Sequence, residues 1–239
     1  APVFDLARDP RWGRVEETYG EDPYLVTQFG VAYIKGLQGE KLPIGKDHMV
    51  ATPKHFAAHG SPEGGLNLSP VPVGPRQLRE LYLQPFEAAI REAGALSIMP
   101  AYSEYDGIPC SASKHLLTDI LRDEWGFEGY TFSDYGAIDM LVYMHRTAAS
   151  LAEAGKQALN AGMDLEAPRA AGFGDNLLRL VESGEVSIDL INAAVSRILK
   201  VKFLLGLFED PYVDPDRAVE IVNNDSHQQL ALEAARESI

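Results

Sequence analysis

Gly129-Tyr130-Thr131-Phe132-Ser133-Asp134-Tyr135-Gly136 is the stretch whose reading decides the fold. It follows Leu116-Leu117-Thr118-Asp119-Ile120-Leu121-Arg122-Asp123-Glu124-Trp125-Gly126. In that run Leu117, Ile120, Leu121 and Trp125 share one helical face, and Gly126 is placed to end the helix. Tyr130, Thr131 and Phe132 favour extended structure. The strand then runs directly into an acid and a glycine. A carboxylate at the carboxyl end of a strand that follows a helix is where barrel and doubly wound folds keep reactive groups. The competing reading makes Asp134 a cap for the next helix. The rest of the chain has to decide between them.

Outward from this unit, strand and helix alternate. Pro2–Ala7 reads as a short strand, so the chain is expected to begin inside a fold. Residues 8–14 read as a loop by their Pro and Gly content. Asp22-Pro23 pairs a cap with a first-turn proline, opening a helix that runs to Gly36. Met49–Phe56 reads as the next strand, with Pro53 awkward inside it. A loop rich in Gly and Pro covers 60–74. Arg76–Ala93 is a helix that buries Leu78, Leu81, Tyr82, Phe86, Ala89 and Ile90. Leu96–Tyr102 is a strand. After the central unit come helix 151–161, strand Met163–Glu166, and helices 176–183 and 188–205. Residues 209–225 read as a polar linker, followed by a helix-like end from Leu230 to Ile239. About five strand–helix rounds imply a parallel α/β sheet with helical cover. A TIM-type (β/α)8 barrel needs about 250 residues. The expectation is therefore either an open sheet or an incomplete barrel, and the immediate start on a strand favours the barrel.

The 239 residues are 46% hydrophobic, enough for a sizeable core. The count of 21 Lys+Arg against 35 Asp+Glu gives a net charge of -14. An acidic chain with no basic run is a poor nucleic-acid or anionic-membrane binder, whereas a neutral substrate is easily accepted. No apolar run reaches the roughly 18–20 residues of a membrane span. The single cysteine, Cys110, excludes an internal disulfide framework and a thiolate metal cluster.

Polar residues recur at the strand ends: Arg14, then Lys54 and His55, then Tyr102, Asp134 and Glu166. If the strands are parallel, these side chains meet on one rim. Arg and Lys can donate fixed hydrogen bonds to hydroxyls, and a carboxylate can attack. His55 and His59 are four apart, but Gly60 and Pro62 argue against a helix there, so no metal site and no cofactor are expected.

Asp9-Pro10-Arg11-Trp12-Gly13-Arg14, then Glu17-Thr18-Tyr19-Gly20-Glu21-Asp22-Pro23, Lys54-His55-Phe56, Leu121–Phe127 and Ser133-Asp134 follow one another in order. This combination resembles the family-three glycoside hydrolases, which include β-glucosidases, β-xylosidases and β-N-acetylhexosaminidases. The resemblance implies a barrel domain and a retaining double displacement. Asp134 matches the nucleophile, and Tyr102 the phenol that supports it. Arg14, Lys54 and His55 match residues that hydrogen-bond the terminal sugar, and Met99 is placed with them on the substrate side. A cis Lys54–His55 peptide is also implied.

The same resemblance implies that residues 1–208 are a partial catalytic barrel and 209–239 a linker toward a second domain. That domain would carry the glutamate acid/base, which is therefore expected outside this chain. The first barrel units would precede Ala1. The implied substrate is an oligosaccharide or glycoside, and the implied compartment is secreted or periplasmic. The hexosaminidase branch keeps an Asp-partnered His in the loop after Lys-His-Phe. This loop holds His59, Glu63 and Asn67 but no such run, and Glu63 reads as a solvated loop acid. Two rivals from other classes are a Schiff-base aldolase on Lys54 and a non-catalytic sugar-binding fragment.

Overall fold

The computed structural model describes residues 1–238. It divides into two units, Ala1–Leu205 and a second from Gly206 onward. In the first unit β1 (Lys54–Phe56), β2 (Ser97–Pro100) and β5 (Tyr130–Thr131) form a parallel sheet in the order β1-β2-β5. Two isolated parallel bridges extend it. Val3 pairs with Lys54 on one side, and Phe132 pairs with Leu165 on the other. The five parallel segments are thus neighbours in chain order, with no reversal. A doubly wound sheet reverses its order, whereas a barrel does not. The arrangement is an arc of a TIM-type α/β barrel, and its carboxyl ends share one rim. A separate antiparallel hairpin, β3 (Glu104–Tyr105) with β4 (Ile108–Pro109), leaves that rim after β2.

The helices cover the outer face because their apolar positions repeat at helical spacing. The Pro23–Gln38 helix opens on Asp22, whose side chain accepts from the Tyr24 and Leu25 N–H groups. It packs against the Gln84–Arg91 helix. Gly30 lets the helix lie against the Phe4 ring, which a Cβ there would overlap. Phe86 stands edge-on to both Phe4 (5.3 Å) and Phe56 (5.2 Å). Ile98, Leu116, Leu117, Ile120 and Leu121 fill the same core, each at most 1% exposed. Each such side chain contributes about 1.5–3 kcal/mol by leaving water. The segment before Gln84–Arg91 is wound as a π-helix, Leu78–Tyr82, and Leu83 N bonds Leu78 O, five residues back. Pro85 has no N–H, which removes one α-type rung at this point.

Several expected boundaries move. Residues 2–7 join the sheet only through the bridge at Val3. The strand expected from Met49 begins at Lys54, just past Pro53, which cannot donate to a ladder. Met163–Glu166 forms a bridge rather than a strand. The Asp164 carboxylate accepts from Thr131 N (2.9 Å), and the Thr131 hydroxyl accepts from Asp164 N (3.0 Å), so side chains replace ladder rungs. The helix that the competing reading placed after Asp134 is present at Ala137–Tyr143 and starts from Gly136 at φ 71°. No side chain caps it, so Asp134 is not its cap.

In the second unit, the stretch read as linker contains a helix, Pro215–Ile221. It opens on Asp214-Pro215, the same cap-and-proline signal as Asp22-Pro23. The last helix runs Asp225–Glu237, capped by Asn224, and begins earlier than Leu230. Ile239, expected to end it, lies outside the described residues.

Candidate active site

Arg14, His55, Tyr102 and Asp134 come together on the rim. Asp134 lies just past β5 and the Phe132 bridge, and only 12% of its side chain is exposed. Its Oδ1 accepts two hydrogen bonds, from the Tyr102 hydroxyl (2.8 Å) and the Tyr135 N–H (2.7 Å). Its Oδ2 lies 3.5 Å from His55 Nε2 and has no closer hydrogen-bond donor among the described residues. The two carboxylate oxygens are therefore inequivalent, one saturated and one available. Tyr102 also donates to the Tyr135 carbonyl (3.0 Å). Burial, then the hydrogen bond to anionic Asp134, push the Tyr102 phenol well above its ordinary range, so it stays a donor.

Arg14 reaches the site from the loop after the first segment. Two hydrogen bonds to Glu17, at 2.7 and 2.8 Å, fix its guanidinium. Its other edge meets His59 Nε2 at 3.1 Å and His55 Nε2 at 3.2 Å. The hydrogen bonds to Glu17 raise the Arg14 pKa despite partial burial. Glu17 is lowered in turn, first by those same bonds.

Lys54 and Met99 sit beside the cluster. They are partners in the β1–β2 register. Met99 is buried at 8% exposure, and Lys54 is half-buried. Among the described residues Lys54 makes no side-chain hydrogen bond, and its charge acts on Glu17. The Lys54–His55 peptide is cis, as is Phe56–Ala57.

Glu166 does not join the site as a free acid. Both its oxygens accept from backbone N–H groups, Gly172 at 2.9 and 3.1 Å and Phe173 at 2.8 Å. Burial raises its carboxyl pKa even so. Glu63 is exposed in the loop, and Asn67 accepts from Trp12 Nε1 at 3.0 Å.

Two residues gain importance only in three dimensions. Asp5 is fully buried and bonds His55 Nδ1 at 2.6 Å. Burial alone would raise its carboxyl, but the hydrogen bonds from the His55 ring and backbone N–H hold it below its ordinary range. The available signal was an acid set between apolar residues in Phe4-Asp5-Leu6. His59 is also buried. It faces Ser103 Oγ at 3.1 Å with Nδ1, and packs 4.6 Å from the His55 ring and 5.4 Å from Trp12. Burial pushes its pKa down to about 4.

A parallel barrel arc thus gathers an oriented carboxylate, a fixed guanidinium and clustered imidazoles on the rim where barrel folds carry their sites. Residues 1–201 match the glycosyl hydrolase family 3 N terminal domain, and the chain belongs to that family. It is 41% identical, over its whole length, to a beta-xylosidase of Formosa agariphila, covering 34% of that protein. It is 38% identical to a periplasmic beta-glucosidase of Salmonella typhimurium, again over all of this chain and 30% of the relative. The structure superposes with a TM-score of 0.97 on a β-glucosidase from Erythrobacter marinus. That pair shares 40% identity over all of this chain and 32% of the other. The chain spans about a third of the length of the curated relatives it matches.

Proposed function

We propose that this chain supplies the nucleophile-bearing barrel of an exo-acting retaining β-glycosidase that releases terminal β-D-glucosyl residues. The observation that carries the reading is the asymmetric Asp134 carboxylate, with Oδ1 held by Tyr102 and Tyr135 and Oδ2 left open. Oδ2 attacks the anomeric carbon, the bond to the leaving oxygen breaks, and a covalent glycosyl–Asp134 ester forms. Water then attacks the same carbon and gives its proton to the acid/base group, the bond from that carbon to Oδ2 breaks, and its electron pair returns to Oδ2. Tyr102 and the Tyr135 N–H stabilise the carboxylate as it leaves in this second step. Arg14 and His55 bind hydroxyls of the sugar, with Lys54 as a further donor and Met99 as an apolar wall.

Retention requires a second carboxyl about 5–5.5 Å from the first to protonate the leaving oxygen. None is free beside Asp134 among the described residues: Asp5 is sealed under His55, Glu17 is bound to Arg14, and Glu166 to backbone. The proposal therefore includes an acid/base from a second domain, with residues 1–208 as barrel and 209–239 as the linker toward it. The name of the Salmonella relative supports a secreted or periplasmic location. No described helix is long and apolar enough to cross a membrane.

The Formosa relative favours a second reading, β-xylosidase. The hexosaminidase reading is weakened because His59 faces a serine rather than a carboxylate. Rates on aryl β-glucoside, β-xyloside and N-acetyl-β-glucosaminide by the full-length protein separate the three. The anomer first released, read by proton NMR, tests retention. A β-anomer supports the mechanism, whereas an α-anomer, or no turnover of any substrate, refutes it.

A further inference from the structure

Asp5 is buried, touches no solvent, and takes no part in the displacement above. Its carboxylate spans from the first parallel segment to β1. Oδ2 lies 2.6 Å from His55 Nδ1, and Oδ1 lies 3.4 Å from the His55 backbone N–H. Both side chains are 0% exposed. We infer that Asp5 is a positioning residue that fixes the tautomer of His55, and thereby keeps an N–H away from the Asp134 oxygen that attacks. This rests on the glycosidase reading for its kinetic consequence, but not for the tautomer itself.

The assignment follows from donors and acceptors. A guanidinium has N–H donors and no acceptor. The Arg14–His55 contact at 3.2 Å therefore needs a lone pair on Nε2. The ring proton then sits on Nδ1, where an ionised carboxylate, which can only accept, receives it. His59 shows the contrast. Its Nε2 also meets Arg14, and that contact alone sets its tautomer, since the serine hydroxyl at Nδ1 can donate or accept. At His55 the acceptor-only Asp5 holds the proton on Nδ1 while Arg14 claims the Nε2 lone pair, so the ring is fixed from both ends.

The choice matters because Nε2 stands 3.5 Å from Asp134 Oδ2. With Nε2 unprotonated, Oδ2 keeps its lone pairs for attack, and the Nε2 lone pair receives an Arg14 N–H. With the proton on Nε2, the ring would donate to Oδ2 and oppose an N–H of Arg14. The nucleophile would be partly quenched, and Arg14 displaced.

The test uses the full-length protein carrying ring-15N histidine. Long-range proton–nitrogen spectra report which nitrogen bears the proton, and the His55 signals are assigned by their loss in His55→Gln. Wild type is expected to show Nδ1–H with a bare Nε2. In Asp5→Asn an amide that can donate to Nδ1 replaces the acceptor-only carboxylate, so Nε2–H is expected to become populated at the expense of the Arg14 contact. The kcat/KM for an aryl β-glucoside should then fall by about 10²-fold, the scale of a displaced active-site group. The thermal unfolding midpoint verifies that the variant is folded. A proton on Nε2, or on both nitrogens, in wild type overturns the inference. So does a folded Asp5→Asn that keeps Nδ1–H, or one whose tautomer moves without loss of rate in an active enzyme. If Asp5→Asn does not fold, the wild-type spectrum still decides. If the tautomer behaves as expected and wild type turns over no glycoside, the glycosidase reading fails while the role of Asp5 in fixing the ring stands.

Discussion

Acidification should weaken the fold through His59, and the size of the effect follows from its environment. His59 is buried between Arg14, Ser103, Trp12 and His55, and its pKa falls from 6.5 to about 4. Its lowered folded pKa means that the unfolded chain binds a proton between pH 6.5 and about 4 while the folded chain does not. Stability therefore rises with pH across that window and is lost as pH falls. A displacement of two to three units corresponds to about 3 kcal/mol. Asp5 has the opposite character. Its lowered pKa contributes stability above the ordinary carboxylate range that is lost only at lower pH, beneath the His59 window. The comparison variant is His59→Gln, whose amide can accept from Arg14 and donate to Ser103 without titrating. Urea unfolding of the full-length protein at pH 7, 6, 5 and 4 measures the difference. Wild type should lose about 3 kcal/mol more than His59→Gln between pH 7 and 4. Parallel pH dependence of the two proteins would refute the claim that His59 is buried neutral.

Other expectations follow from the same geometry. Tyr102→Phe removes a hydrogen bond to a charged acceptor, worth about 1.5–3 kcal/mol, so kcat should fall roughly ten- to hundredfold in steady-state assays. Asp164 is 1% exposed and bonds Arg122 (2.6 Å) and Arg197 (2.8 Å). Asp164→Ala leaves two cations without their carboxylate and should cost about 3–5 kcal/mol in chemical denaturation, with kcat unchanged in the molecules that remain folded. A preparation of residues 1–239 alone should show little or no hydrolysis of cellobiose, because no second free carboxyl stands beside Asp134 among the described residues. Turnover at the rate of the full-length protein would contradict that.

Much of the barrel arc was legible because it rests on local signals. Apolar periodicity placed Leu117, Ile120 and Leu121 in the core, and Asp22-Pro23 marked a helix start within a residue. The same cap-and-proline signal at Asp214 was passed over because its surroundings are polar. Strand lengths were less legible. Thr131 and Asp164 exchange side-chain for backbone bonds, which only the paired geometry reveals. Arg14, Tyr102 and Asp134 stood out as polar residues at strand ends. Asp5 and His59 did not, since each acts through a partner 50 or 44–45 residues away. Glu166 looked equivalent to Asp134 in sequence, yet the turn at 171–173 folds back and takes both of its oxygens.

The central claim is that Asp134 Oδ2 becomes bonded to the sugar. The most direct measurement is to incubate the full-length protein with a 2-deoxy-2-fluoro-β-glucosyl substrate carrying a good leaving group, then locate the adduct by peptide mass mapping, with Asp134→Ala as control. The account predicts one sugar on the peptide containing Ser133-Asp134-Tyr135, and none in the control. A stable adduct on Glu17, Glu63 or Glu166, with Asp134 unmodified, would contradict it.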